Sequence, residues 1–506
     1  MIMSLAMWSG NSSRKIVERI VIEGELILET PAHFGNGDGD DITDMPLLVD
    51  AFDGKSPLLT GASITGALRS YLRSRQYGYR HPKPQNKADA RKENEESNAS
   101  LLFGGLNGYD EGEQSPLIVD DARGINPGIE MRNGVKLNSS SRTAENDALF
   151  DMQLWQAGTK FPLRFELAIR ATDNAAQIKT SLASALKGFK DGGITLGARK
   201  RRGYGRVRVD AWRVKIYNVK TPIGLIDWVE NGGKSPSVAP TNDINTVLGT
   251  GVLIDDARRV FQMKATFALD GSLLIRSGGG REDKGPDMVY LSAHQADGST
   301  QPVLSGTSMA GALRARATKI AKSLDRLGNM RILIDGMFGA EMNNQRGNRA
   351  SASPISPTAS RVAVREEIVK ETVTNLVQNR VSIDRFTAGA RDTALFNEQP
   401  VFGGEVIVDV QLANPKKEEI GLLLLLLKDL WTGDLALGGE SSVGRGRLKG
   451  KKAELIYKTP ETQDGSFLWS LEAGANALSI PEEARERLED FVTAFKTYLR
   501  GVTYDT

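Results

Sequence analysis

The chain reads LTGASITGALR at residues 59–69 and LSGTSMAGALR at residues 304–314, and this near-identity decides its architecture. A glycine-rich pattern follows each copy, at residues 196–206 and 437–447. The interval between the first pair, 304 minus 59, is 245 residues. Such an interval is too long for a solenoid repeat and has the size of a whole domain. The sequence therefore predicts a tandem duplication of one domain.

Composition restricts the class of protein. The 506 residues are enough for about two to four domains with substantial cores. Cysteine is absent, which excludes disulfides and thiolate metal sites. The longest apolar run, Ile420–Leu427, is far too short to cross a bilayer, and Met1–Ser13 contain no apolar core of signal-peptide length. We therefore expect a soluble, cytoplasmic protein that does not engage a membrane.

The charge is balanced overall but clustered locally. A net charge of +2 gives no whole-protein basic field. Residues 199–215, however, contain eight Lys or Arg and a single acid, Asp210. A basic stripe of this kind fits a polyanion bound on one face, and a set of solvated helix and strand faces is the alternative.

Each copy has the same order of elements. Apolar residues roughly alternate with charged ones at Ile16–Leu28 and again at Val260–Ile275, which predicts an opening strand. A polar, glycine-rich loop follows, and then a helix for which Ser63 or Ser308 is the expected N-cap. Strands mixed with helices favour an α+β domain over a helical bundle.

Three segments lie outside this shared pattern. Residues 81–100 are rich in Lys, Asn, Glu and Pro, which predicts a loop or disordered insertion. Residues 230–250 contain Gly and Pro and are predicted to link the copies. An amphipathic helix is predicted from Pro481, and its apolar face contains Leu488, Phe491, Val492, Phe495 and Leu499.

The segment around Ser308 also matches the nucleophile peptide of subtilisin-like proteases. A nucleophilic serine needs a histidine base and an orienting acid. None of the three histidines, His33, His81 and His294, has the sequence context of such a base. Helix capping explains the serine better, so we do not expect a protease.

Two acidic residues recur at equivalent places, because Asp44-Met45 returns as Asp287-Met288. A carboxylate on a loop after a strand suits a divalent cation or a ribose hydroxyl, and a solvated loop aspartate is the alternative. The acidic run at residues 38–44 fails as a calcium loop because the late bidentate glutamate is missing.

The two glycine-rich segments are neither P-loops nor dinucleotide-binding fingerprints. No Gly-Lys-Ser/Thr closes them, and no convincing helix follows them. They combine close backbone approach with arginine, which suits a sugar-phosphate chain. A pair of tight β-turns is the alternative.

Four motifs in order, in both copies, together resemble a known family. Besides the patterns above, residues 42–46 read ITDMP and residues 383–387 read IDRFT. Each copy resembles the backbone RAMP subunits of type III CRISPR effector complexes, in the Cas-seven family and closest to the Csm-three type. The resemblance covers roughly residues 15–215 and 258–455.

The resemblance implies an α+β fold of two tandem ferredoxin-like, RRM-related RAMP domains with thumb hairpin insertions and a C-terminal helical extension. The expected boundaries are 14–220 for the first domain, 221–257 for the linker, 258–456 for the second domain and 457–506 for the extension. The implied protein is a fused backbone subunit that binds guide RNA (crRNA) and the guide–target duplex. Its implied partners are a large polymerase-like subunit, other backbone RAMP subunits and small subunits.

The family's cleaving residue is an aspartate of the acidic loop. It carries over to Asp44, two residues before Pro46. In the second copy, spacing favours Asp287, Asp283 is the rival, and an inactive site remains open. No histidine adjoins Asp44 in the sequence, so a role that depends on a divalent cation, Mg²⁺ or Mn²⁺, is expected. A guide-binding scaffold without endoribonuclease activity is the alternative.

The resemblance also implies a set of RNA-binding residues. Tyr204 is expected to stack on a base, and the remaining residues are expected to contact the phosphate backbone. These are Ser63, Arg69, Lys136, Arg142, Arg199, Lys200, Arg201, Arg202, Ser308, Arg314, Arg385, Arg391, Arg445 and Arg447.

Overall fold

Two units of the same topology follow one another along the chain. The computed structural model describes residues 15–37, 44–82, 84–105, 114–125, 128–137, 144–277, 285–340, 358–461, 466–474 and 478–501.

The first unit is followed by two short helices. Its strands are β1 (Ile16–Leu28), β2 (Leu58–Leu59), β3 (Leu117–Val119), β4 (Ala122–Arg123), β5 (Ile129–Leu137), β6 (Ala144–Trp155), β7 (Lys160–Arg170) and β8 (Val207–Tyr217). Its helices are α1 (Gly61–Tyr77), α2 (Lys87–Glu96), α3 (Asn98–Phe103) and α4 (Ala175–Lys190). The helices that follow are α5 (Pro222–Asn231) and α6 (Ile244–Leu248).

The second unit continues into a C-terminal extension. Its strands are β9 (Val260–Asp270), β10 (Ser272–Leu273), β11 (Met288–Val289), β12 (Ser292–His294), β13 (Thr300–Leu304), β14 (Val362–Val364), β15 (Glu367–Ile368), β16 (Gln378–Ile383), β17 (Ala390–Gln399), β18 (Val401–Phe402), β19 (Glu405–Ala413) and β20 (Arg447–Lys458). Its helices are α7 (Gly306–Leu324), α8 (Met330–Phe338) and α9 (Lys417–Trp431). The extension contains β21 (Phe467–Ala473), β22 (Leu478–Ser479) and α10 (Glu482–Arg500).

Each unit is an antiparallel sheet covered by helices. The strand order is β3-β7-β1-β8 in the first unit and β14-β19-β9-β20 in the second, so equivalent strands occupy equivalent places. In β7 every second side chain, from Phe161 to Ile169, is buried in the core with residues of α1 and α4. This arrangement confirms the expected α+β fold of two ferredoxin-like domains. Within the part of the chain described, no helix is both long and apolar enough to cross a membrane.

A hairpin projects from each unit and corresponds to the expected thumb. The first thumb pairs β5 with β6, and the second pairs β16 with β17. Exposed apolar side chains occur on both thumbs, including Leu149 on the first and Phe386 at the tip of the second.

The expected N-caps are wrong, because each cap lies three residues before the predicted serine. Thr60 Oγ1 accepts a hydrogen bond from the N–H of Ser63 (3.2 Å), and Ser305 Oγ accepts one from the N–H of Thr307 (3.3 Å). Thr60 and Ser305 are therefore the caps, and Ser63 lies in the first turn. The glycine after each cap, Gly61 or Gly306, packs so closely against a neighbouring backbone that a side chain there would collide with it. This close packing sets where each helix begins.

Residues 81–100 are not the predicted loop. Helix α2 begins after Asn86, whose side chain accepts from the N–H of Asp89 (2.9 Å). Arg73 of α1 donates to the buried Glu93 (2.7 Å), which fixes α2 against the domain. The polar composition thus reflects an amphipathic helix with a solvated face.

The predicted linker and extension both pack onto the units. Ile244 and Leu248 of α6 are buried in the core of the first unit. The C-terminal helix is confirmed as α10, and its buried residues pack against α9. Strand β21 pairs with β20, so the extension also covers the edge of the second sheet.

The two units meet at a buried ion pair. Arg132 of the first thumb donates to Glu366 of the second unit (Nη2 to Oε1, 3.1 Å), and both side chains are at most 4% exposed. Glu130 also pairs with Arg132 and accepts from the N–H of His294 (3.2 Å). Burial opposes the charge of Arg132, but Glu366 and Glu130 raise the pKa of its guanidinium above its ordinary value.

Candidate nucleic-acid interface

A cavity of about 420 Å³ in the first unit joins four segments of the sequence. Its lining includes His33 after β1, Asp44 of the acidic loop, Thr60 and Ser63 at the start of α1, and Gly197 of the glycine-rich segment. Three of the four motifs on which the resemblance depends therefore converge on one place in the first unit.

Asp44 is held against the first thumb. Its Oδ2 accepts a hydrogen bond from the backbone N–H of Asp151 in β6 (2.9 Å). The next residue, Met45, accepts from the N–H of Gln153 (3.3 Å), and the side chain of Gln153 accepts from the N–H of Leu47 (3.2 Å). The acidic carboxylate thus has a fixed position beside the thumb strand.

His33 is a site residue that the sequence reasoning missed. Its side chain is 4% exposed, and Nδ1 lies 2.8 Å from the carbonyl oxygen of Gln153. No histidine adjoins Asp44 in the sequence, yet His33 and Asp44 line the same cavity. Its position in the sequence gave only a weak signal, since His33 lies five residues after the end of β1, in the segment that precedes the acidic loop.

Asp287 occupies the equivalent place in the second unit. Its Oδ2 accepts from the N–H of Asn397 (2.9 Å), and its own N–H donates to Asn397 Oδ1 (2.6 Å). The parallel pairing of Met45 with Met152 is repeated by Met288 with Glu398. Asp283, the rival candidate, lies outside the described residues.

The two sites differ in the side chains that surround the aspartate. The carbonyl of His33 accepts from the N–H of Ala198 (3.0 Å), and the carbonyl of Leu274 accepts from Gly439 (2.8 Å) in the same way. Leu274 therefore replaces His33 in the second unit. Asn397 likewise replaces Asp151, so these two positions supply neither an imidazole nor a carboxylate in the second unit.

The glycine-rich segments close against the segment that follows the first strand of each unit. Gly197 and Gly438 have φ of +85° and +74° and touch the backbone of His33 and Leu274, where a side chain would collide. Tight backbone packing accounts for these glycines without an RNA contact.

A comparison with protein families decides the class. A family model described as the RAMP superfamily matches residues 25–208 and 266–449. The chain belongs to the RAMP superfamily. Its members are generally CRISPR-associated RNA-binding proteins, and the two matched regions are the two RAMP units described above. No curated protein matches the chain.

The basic tract of the first RAMP unit lies at the junction. Residues Lys200–Arg202 form a 3-10 turn that contacts α7 and β14 of the second unit. Arg199 stacks over Phe150 of the first thumb (4.2 Å). Nη1 of Arg202 is buried and has no hydrogen-bond partner in the described part of the chain. Burial, followed by the nearby charges of Arg314 and Arg199, lowers the pKa of Arg202. Among the described residues no carboxylate pairs with this turn, so it is a positive region. The second unit has Glu440 and the turn Ser441–Val443 at the same place.

Two predicted RNA-binding residues are buried. Tyr204 is 3% exposed and packs with Met152 and Leu154 of the first thumb, and burial raises its pKa to about 12. Arg445, its equivalent, is 2% exposed and pairs with Glu398 (2.7 Å). Both side chains fasten a thumb to its glycine-rich segment, so their positions argue against base stacking by Tyr204 and a phosphate contact by Arg445.

The arginine that ends the repeated motif contacts protein in both RAMP units. Arg69 donates to the carbonyl of Phe103 (3.5 Å), and Arg314 donates to the carbonyl of Gly339 (2.9 Å) and to Asp335 (3.0 Å). Each side chain ties the motif helix to the end of a following helix. A structural role therefore explains this motif position.

The remaining candidates are spread over the surface. Arg201 stacks over Tyr79 (5.7 Å), and Ser308 lies partly exposed in the first turn of α7. Arg385, Arg391 and Arg447 are exposed. Lys136 lies in β5, where its side chain is outside the described part, and Arg142 lies outside the described residues.

The IDRFT motif forms the tip of the second thumb. Asp384 Oδ1 accepts from the N–H groups of Thr387 and Phe386 (2.9 Å each), and these bonds lower the pKa of Asp384. The aspartate closes the turn, so the neighbouring Arg385 and Phe386 project into solvent.

Proposed function

We propose that this RAMP protein is a fused backbone subunit of a type III CRISPR effector complex that binds guide RNA and cleaves the paired target RNA. The observation that carries the proposal is the repeated placement of Asp44 and Asp287 against the base of a thumb. A thumb that interrupts a guide–target duplex would bring one displaced nucleotide to each aspartate. The first site, which opens into the cavity with Asp44, is the better candidate for cleavage.

The chemistry proposed is attack by a 2′-hydroxyl on the adjacent phosphate. The nucleophile is already part of the RNA, so the protein must mainly hold O2′ in line with the scissile bond. Apolar thumb side chains such as Leu149 and Phe386 would separate neighbouring bases. Asp44 would then lie beside the displaced nucleotide.

A divalent cation, Mg²⁺ or Mn²⁺, fits the first site. Among the described residues, Oδ1 of Asp151 is buried with no hydrogen-bond partner, and the backbone N–H of the same residue binds Asp44. Asp44 and Asp151 are therefore the two carboxylates that would hold the ion. Mg²⁺ is commonly held by one or two carboxylates, with phosphates and waters as the other ligands. The described residues contain no group of three or more side chains of the metal-binding type, so RNA and water would complete the shell. The bound ion would stabilise charge on the reacting phosphate.

RNA binding is proposed to depend on the cations that pair with no carboxylate among the described residues. These lie on the turn at Lys200–Arg202 and on the surface at Arg385, Arg391 and Arg447. Contacts of this type hold phosphates irrespective of sequence, and their strength falls steeply with salt. Partner subunits, including a large polymerase-like subunit, would contact the outer ends of the two-unit segment.

The proposal is tested on the complex purified with its native partners. Sequencing of the co-purified RNA should give guides that carry repeat-derived tags, and heterogeneous RNA would contradict the CRISPR assignment. Labelled target RNA should be cut at fixed positions with Mg²⁺ and stay intact with EDTA. Tagged guides without any metal-dependent fragment would favour the non-catalytic scaffold.

A further inference from the structure

The orientation of His33 fixes its chemical role. Nδ1 lies 2.8 Å from the carbonyl oxygen of Gln153. A carbonyl can only accept, so Nδ1 must carry a proton, and Nε2 of the neutral ring is then the acceptor nitrogen. Gln153 also binds Met45 and Leu47, so one residue positions both the imidazole and the acidic loop.

The space beside Nε2 of His33 requires a glycine at position 35. A Cβ atom on Gly35 would lie 2.6 Å from Nε2, and Gly35 lines the same cavity as Asp44. The φ of Gly35 is outside the left-handed region, so space and not backbone strain requires the glycine. In the second unit, Leu274 replaces the histidine. Arg276 pairs with Tyr290 as Gly35 pairs with Leu47, so Arg276 replaces the glycine.

We propose that His33 is the proton acceptor for the 2′-hydroxyl at the first site, and that the second site lacks such a group. The inference rests on the proposed function. O2′ forms a bond to phosphorus while Nε2 takes its proton, the P–O5′ bond breaks, and the departing 5′-oxygen takes a proton from water. The products are a 2′,3′-cyclic phosphate and a 5′-hydroxyl, and no redox change occurs.

A positioned general base typically contributes about 10²- to 10⁴-fold to the rate. We therefore expect His33→Ala to slow the Asp44-dependent cut by about 10²- to 10⁴-fold in single-turnover assays of the complex with saturating Mg²⁺. Guide and target affinities should not change. Any cut assigned to Asp287 serves as an internal control on the same RNA, and it should keep its rate.

Two further variants separate proton transfer from folding. Added imidazole should restore part of the activity of His33→Ala, which a purely structural histidine would not allow. Gly35→Ala should displace the ring and slow the same cut, whereas Gly66→Ala, where no atom lies within 4 Å of the new Cβ, should not.

The outcomes distinguish this inference from the proposed function. If the wild-type complex leaves target RNA intact, or if Asp44→Ala cuts as the wild type does, the proposed function fails and His33 has no role. If Asp44→Ala abolishes the cut while His33→Ala cuts at the wild-type rate, the inference about His33 alone is refuted. Slow cutting by His33→Ala that imidazole leaves unchanged would also overturn it.

Discussion

Removal of Arg132 should uncouple the two units. Arg132→Met keeps most of the side-chain volume but leaves Glu366, whose side chain is 3% exposed, without its counter-charge. Loss of one partner of a buried ion pair costs about 3–5 kcal/mol. Arg123→Met is the control, because the Arg123 side chain is 54% exposed where it pairs with Asp50 and Asp53. Loss of an exposed pair costs about 1 kcal/mol or less.

The assay is urea unfolding of the full chain at pH 7, followed by the fluorescence of its six tryptophans. Arg132→Met should lower the unfolding midpoint far more than Arg123→Met. The double variant Arg132→Met/Glu366→Gln should recover much of the loss, because it no longer buries the unpaired charge of Glu366. Equal midpoints for the two single variants would refute the argument that this pair holds the junction.

Two other predictions concern charged groups. Burial opposes the charge of Asp256, but Arg258 and Lys458 lower its pKa in the folded protein. Ionised Asp256 therefore stabilises the fold above its unfolded-state pKa of about 3.9, and this stabilisation is lost as the pH falls through the folded-state pKa. Between pH 7 and pH 2, the free energy of unfolding should therefore fall less in Asp256→Asn than in the wild type. An equal fall in both proteins would contradict the lowered pKa of Asp256. Arg445→Met should destabilise the protein by about 1–3 kcal/mol, because the buried Glu398 then keeps, among the described residues, only Arg380 as its counter-charge. Arg447 is exposed, so Arg447→Ala should keep stability and lower the slope of RNA affinity against salt by about one. Equal effects of these two substitutions on stability and RNA affinity would count against the distinction between buried and exposed arginines.

Local patterns predicted the framework of the fold. Strand β1 has the bounds Ile16–Leu28 expected from alternation, and β9 with β10 reproduces the predicted strand and its interruption. Helix α10 follows from its apolar face. These features depend on neighbours in the sequence, and that is why periodicity finds them.

Features that depend on distant contacts were not predictable. His33 and Asp44 are brought together through Gln153, which is 120 residues from His33. The caps Thr60 and Ser305 follow from close packing of the next glycine against a remote strand or turn. Tyr204 and Arg445 look alike as candidates for RNA contacts, yet the base of a thumb buries both.

In the proposed function, the first acidic loop cuts RNA held by this chain. The most direct measurement compares fragments of a labelled target RNA from complexes that contain the wild-type chain, Asp44→Ala or Asp287→Ala. We predict that Asp44→Ala loses one cleavage position and binds guide and target as tightly as the wild type. Persistence of every fragment in the Asp44→Ala complex would contradict the account.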